Sequence, residues 1–138
     1  MMLRQVIVDT SILVALIDKR DQYHAWACQH LGSISPPLLT CEAVISEAWF
    51  LLGRVGNGRE ALLLLLERGQ VSVEFDLNAE RVAVIALMRR YQSVPASVAD
   101  AELVRMSELN SDSSVFTLDS DFQIYRKNRN ISIPLITP

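Results

Sequence analysis

Residues 6–17 read VIVDTSILVALI. The run up to Asp9 is short, β-branched and apolar, the pattern of a strand buried on both faces. TSILVALI (10–17) follows with helical spacing, and Thr10 or Ser11 is placed to cap it. The chain therefore opens strand-then-helix, with a carboxylate at the junction. In open α/β sheets that junction is where ligand sites are built.

The alternation continues outward from this unit. A helix is predicted over YHAWACQHL (23–31), then a loop at Gly32 and Pro36-Pro37, then a short strand PLLT (37–40). Thr40 is placed to cap a helix running to Leu52. REALLLLLER (59–68) reads as a helix ended at Gly69, and VSVEF (71–75) as a strand. LNAERVAVIALMRRYQ (77–92) reads as a helix capped by Asn78, with a loop around Pro95. VADAELVRMSEL (98–109) is a helix, SVFTL (114–118) a strand, DSDFQIYR (119–126) a loop with a turn of helix, and ISIPLI (131–136) a last strand. Strands alternating with helices imply an α/β fold with a mainly parallel sheet covered on both faces. Right-handed crossovers bring the carboxyl ends of the strands to one edge.

Composition limits the alternatives. The chain has 138 residues, half of them apolar and 21% charged, which fits one ordered domain over 1–138 with no linker. The N-terminal segment resembles a signal peptide in hydropathy, but Asp9 interrupts it and no small-residue cleavage site follows cleanly. Apolar stretches fall far short of the roughly 20 residues of a membrane span. A cytoplasmic protein without membrane contact is the expectation. Cys28 and Cys41 form no CxxC pair and are read as buried packing residues, as are Trp26 and Trp49. A net charge of −3 argues against a general nucleic-acid coat. A local cluster, Arg126, Lys127 and Arg129, remains a candidate phosphate contact or a solvated turn.

Five acidic residues carry the chemistry. Asp9 and Asp119 each end a predicted strand, and Asp121 follows Asp119 in TLDSDF. Asp100 sits three residues after Ser97, as in a capping box. Glu47 shares a helix face with Ala43, Val44, Phe50 and Leu51, so it is expected to point inward, whereas Glu42 is expected in solvent. Each has a bland reading: a helix cap for Asp9 and Asp100, a buried ion pair for Glu47, plain exposure for Asp119 and Asp121. Their coincidence at related places favours a shared site, and gathered carboxylates are best neutralised by a hard divalent cation. His24 and His30 are read as packed or surface residues. GRVGNG lacks the lysine and hydroxyl of a phosphate-binding loop.

Four blocks then carry a resemblance: VIVDTSILVALIDKRDQYHAWA, TCEAVISEAWFLL, VPASVADAELVRMSE and SSVFTLDSDFQIYR. In this order and spacing they resemble the motifs of PIN-domain ribonucleases, and most closely the VapC-type toxins of toxin–antitoxin modules. The resemblance implies a five-stranded parallel sheet flanked by helices. It also implies an endoribonuclease dependent on Mg2+ or Mn2+, cutting single-stranded or looped RNA. Its acidic cluster falls on Asp9, Glu47, Asp100 and Asp119, with Asp121 in support and Thr117 as a hydroxyl behind the acids. Asp9, Asp100 and Asp119 would hold metal, and Glu47 would orient or deprotonate the attacking water. A homodimer and a small DNA-binding antitoxin are the implied partners. The competing expectations are a housekeeping RNA-processing nuclease, or a weakly active module whose acidic pocket receives an arginine of a partner. A phosphatase of the haloacid-dehalogenase type would want DxD after the first strand, where this chain has DTS.

Overall fold

In the computed structural model, which describes residues 5–138, the opening strand β1 is Val6–Val8 and all three of its side chains are fully buried. Successive strand side chains point to opposite faces, so both faces of this strand are covered. The part of the N-terminal reading that falls on residues 1–4 lies outside the described residues.

Four more strands join it: β2 (Leu38–Thr40), β3 (Val71–Val73), β4 (Ser114–Phe116) and β7 (Leu135–Ile136). The five form one parallel sheet in the order β3-β2-β1-β4-β7. The expected α/β architecture is therefore present. The chain builds outward from β1 on one side, then returns to place β4 on the other. The reversal of strand order falls between β1 and β4, where a doubly wound sheet opens a crevice at its carboxyl edge. A separate two-stranded ribbon pairs β5 (Arg126–Lys127) with β6 (Ile131–Ser132). The predicted last strand, 131–136, is thus two strands: its first half joins this ribbon and only its second half joins the main sheet.

Among the described residues six α-helices lie around the sheet: α1 (Thr10–Ile17), α2 (His24–Leu31), α3 (Glu42–Leu51), α4 (Gly58–Glu67), α5 (Leu77–Arg90) and α6 (Val98–Leu109). Helix α1 packs against α2, α3 and α4, whereas α6 packs on β1 and β4 and carries α5. Phe116, Ile12, Leu13, Leu103 and Met106 are among the fully buried side chains that join the helices to the sheet. Gly69 ends α4 at φ 69, a left-handed backbone that suits glycine.

Local chemistry departs from the sequence reading at several helix starts. Asp9, not Thr10 or Ser11, caps α1. Helix α3 starts after Cys41 with no side-chain cap, because the Thr40 hydroxyl donates instead to the carbonyl of Val8 at 2.8 Å. Asp76, one residue before the helix, takes the capping role on α5 expected of Asn78. The strand expected over 71–75 stops at Val73, where β2, its pairing partner, also ends. Cys41 is buried, but Cys28 is exposed on α2, one turn from His24. Trp26 packs against Phe116, whereas Trp49 is 39% exposed under the guanidinium of Arg59. Among the described residues no helix is long and apolar enough to cross a membrane.

Thr40 is fully buried and its hydroxyl ties β2 to the end of β1, next to Asp9. Replacing it by the isosteric valine leaves the Val8 carbonyl without this donor. Thr40→Val should lower unfolding free energy by about 1–2 kcal/mol in urea denaturation. An unchanged midpoint would show that the hydroxyl is dispensable.

Candidate active site

The register of β1 against β4 sets the site. Val8 pairs with Phe116, so Asp9 and Thr117 leave the sheet side by side. The Thr117 hydroxyl donates to Asp9 Oδ2 and accepts from the backbone N–H of Asp119 at 2.9 Å. Ser11 makes a second bridge: its hydroxyl donates to Asp9 Oδ1 at 2.6 Å and accepts from the N–H of Leu118 at 3.0 Å. The backbone N–H of Ile12 completes the set on Asp9 Oδ1 at 3.2 Å. Two small hydroxyls thus clamp the end of the first strand to the loop after the fourth. Both strand-end acids are held by one network.

Asp119 caps the 3-10 turn Ser120–Gln123, its Oδ1 accepting from the N–H of Asp121 at 2.9 Å. Asp100 comes from the first turn of α6, in the expected capping box with Ser97. The Ser97 hydroxyl accepts from Asp100 N at 3.0 Å, and Asp100 Oδ2 accepts from Ser97 N at 3.4 Å. Tyr125 donates its phenolic hydroxyl to the same Oδ2 at 3.1 Å.

Asp9, Glu47, Asp100 and Asp119 line one cleft of about 100 Å³, together with Thr10, Ser11, Val44, Ala99 and Leu103. These four anticipated acids are brought together. Asp121 is not among the lining residues; its backbone N–H supports Asp119. Glu47 does not point into the apolar core as expected. It is exposed on α3 and stands at the mouth of the cleft, because Val44 and Ala48 supply the buried face of that helix while Phe50 is 76% exposed. Glu42 is exposed, as expected.

Burial dominates the electrostatics. Desolvation pushes the Asp9 carboxyl up to about 6, against the hydrogen bonds from Ser11, Thr117 and Ile12, and the charge of Asp119 adds to the rise. Asp100 is also raised, first by burial, with its hydrogen bonds opposing and Asp119 again adding. Among the described residues the ion pairs are Asp18–Arg20, Glu80–Arg105 and Glu108–Arg105, and none involves an acid of the cleft. The carboxylates therefore face one another without a basic partner. The donor set, all carboxylate oxygen, fits a hard divalent cation. As placed, however, no three acidic, histidine or cysteine side chains among the described residues converge closely enough to enclose one.

The basic cluster of the sequence is dispersed. Arg126 turns its guanidinium onto the carbonyls of Gln123 and Tyr125, and Lys127 is buried with its ammonium on the carbonyl of Ser111 at 3.4 Å. Arg129 lies instead in a cleft with Arg90 and Arg105. Neither the contact of Tyr125 with Asp100 nor the bridging role of Ser11 is legible in the sequence. An aromatic in the polar loop DSDFQIYR was the one available signal for Tyr125, and nothing local shows where its hydroxyl goes.

Fold and site together define an α/β module with an acidic cleft at its switch point. The PIN-domain family model matches residues 6–128, and the chain belongs to the PIN-domain family. Among solved structures it is similar to the Mycobacterium tuberculosis toxin VapC20, described as cleaving the sarcin–ricin loop. The likeness has 24% identity and a TM-score of 0.77, over 87% of this chain and 94% of that one. At that identity the likeness speaks to the fold. A comparison with curated protein sequences finds no match.

The pKa of Asp9 has a consequence for stability. Its folded value lies above the ordinary 3.8, so the native state holds the proton more tightly than the unfolded chain. The stabilisation from this group is complete below the unfolded value and is lost as pH rises through about 6. In chelator, Asp9→Asn should therefore be more stable than wild type at about pH 8, by roughly 2–3 kcal/mol. The advantage should vanish near pH 4. Urea midpoints at both pH values check this. Equal destabilisation at both would show that the carboxylate is required by the fold.

Proposed function

We propose that this protein is a divalent-metal-dependent endoribonuclease that hydrolyses phosphodiester bonds of single-stranded or looped RNA, acting in the cytoplasm as the toxin of a toxin–antitoxin pair. The observation that carries the reading is that Asp9, Glu47, Asp100 and Asp119 line one cleft with no basic partner among the described residues. Family membership and the likeness in fold to a toxin that cleaves an RNA loop support it.

Asp9, Asp100 and Asp119 are the residues that would hold Mg2+ or Mn2+. Such an ion neutralises phosphate charge and lowers the cost of generating a nucleophile from water at neutral pH. The remaining work falls to the chain. Ser11 and Thr117 keep Asp9 ionisable and correctly turned by donating to both of its oxygens. Glu47, exposed at the mouth, is placed to accept a proton from an incoming water. Asp121 supports the cluster by holding Asp119 through its backbone N–H. Cleavage on this scheme leaves a 5′-phosphate and a free 3′-hydroxyl. The cleft is small and sits at a sheet edge, so a splayed strand reaches it more readily than a regular duplex.

A homodimer is part of the proposal. Phe50, Leu63 and Val82 are exposed apolar side chains on α3, α4 and α5, available to a second copy or to a small DNA-binding antitoxin.

With a looped RNA substrate and Mg2+, wild type should cleave. Asp9→Asn and Asp100→Asn should each lose about two orders of magnitude or more in rate while keeping the circular-dichroism spectrum. Excess chelator should abolish cleavage by wild type, and mapped fragments should carry 5′-phosphates. Undiminished cleavage in chelator, or by both variants, would refute the reading. Binding without cleavage by the wild type would favour the partner-docking module.

A further inference from the structure

We infer that Tyr125 is a positioning residue for Asp100, turning this carboxylate so that one oxygen stays free for a divalent cation. The inference rests on the proposed metal-dependent reading and adds to it a residue outside the acidic cluster.

The geometry is specific. Both hydrogen bonds that Asp100 accepts fall on Oδ2: from the backbone of Ser97 at 3.4 Å and from the Tyr125 hydroxyl at 3.1 Å. Among the described residues Oδ1 accepts none. The Ser97 contact is long and comes from the capping box, so it fixes the helix start more than the plane of the carboxylate. The phenol is the shorter and better-placed anchor. A carboxylate with one oxygen tied and one free is oriented, as outer hydrogen-bonding groups orient metal ligands in general.

Tyr125 is itself immobilised. It is 1% exposed. Its ring lies edge-on to Tyr91 at 5.0 Å and to Phe122 at 5.2 Å. Tyr91 in turn accepts the N–H of Arg126 on its hydroxyl at 2.9 Å, which pins the chain just beyond Tyr125. Backbone bonds from Ile124 and Tyr125 to the carbonyl of Asp121 close the turn. Asp119 caps this turn, and Tyr125 leaves it to reach Asp100. One short segment thus sets two acids of the cleft: Asp119 directly, and Asp100 through the phenol. A purely packing aromatic would not require the hydroxyl, and phenylalanine would fill the same volume.

The test uses Mn2+ binding to the full chain, read from the electron paramagnetic resonance signal of free ion, in wild type, Tyr125→Phe and Tyr91→Phe. Tyr91→Phe removes a hydroxyl from the same aromatic cluster, but one bonded to backbone. Tyr125→Phe should weaken Mn2+ about 10-fold or more, the usual effect of losing an outer hydrogen bond to a ligand. Tyr91→Phe should bind as wild type does. Equal affinity of Tyr125→Phe and wild type would overturn the inference. So would equal weakening in both variants, which would make the effect one of packing. Loss of cooperative melting in Tyr125→Phe alone would also overturn it, making the hydroxyl an element of folding. Failure of the wild type itself to bind Mn2+ would instead count against the metal-dependent reading.

Discussion

Parallel pairing of β1 with β4, in the register that sets Val8 against Phe116, is the constraint on which the rest depends. It places Asp9 beside Thr117 and brings Ser11 within reach of Leu118. A shift of one residue would turn every side chain of β4 to the opposite face and break both bridges. Full burial of Val6, Ile7 and Val8 makes such a slip costly, because core side chains would move to positions shaped for others. The stability of the core and the geometry of the cleft are therefore one property.

Structural and chemical duties coincide on the same acids. Asp9 caps α1, Asp100 closes the capping box of α6, and Asp119 caps the 3-10 turn. For Asp9 and Asp100 the capping role is compatible with the proposed role as a cation ligand, and Asp119, read from the sequence as plainly exposed, is a cap as well. Capping brings a carboxylate to the positive end of a helix, which eases the repulsion between like charges held close together. It also orients one side of the carboxylate through backbone N–H groups. Burial works the other way, raising Asp9 and Asp100, so these two carboxyls ionise less readily than they would in water. A cation entering such a cleft is favoured both by charge and by relief of that tension.

The surface tells a separate story from the core. Arg126, Lys127 and Arg129, in the sequence either a phosphate contact or a solvated turn, are divided by the fold. Arg126 satisfies carbonyls of its own loop, whose irregular backbone needs donors, and Lys127 reaches the carbonyl of Ser111 in the turn after α6. Arg105 is held between Glu80 and Glu108, and Glu108 also accepts from the backbone of Asn128. These contacts join α5, α6 and the β5–β6 ribbon into one buttress behind Tyr91 and Tyr125. Positive charge that looked available for RNA therefore serves to fasten the ribbon.

By itself the sequence determined the alternation of strands and helices, the parallel sheet, and the four acids Asp9, Glu47, Asp100 and Asp119. Each rests on local pattern: β-branched runs, helical periodicity, and charges at the ends of apolar segments. Only the tertiary structure decided which way Glu47 faces, since α3 is apolar on more than one side and packing chooses which side is buried. Only the fold, likewise, brought the hydroxyl of Thr117 onto Asp9, the N–H of Leu118 onto Ser11 and the hydroxyl of Tyr125 onto Asp100. Thr117 lies 108 positions from Asp9 and Tyr125 lies 25 from Asp100. Hydrogen bonds across such distances depend on strand register and loop path, and no short window of residues encodes either.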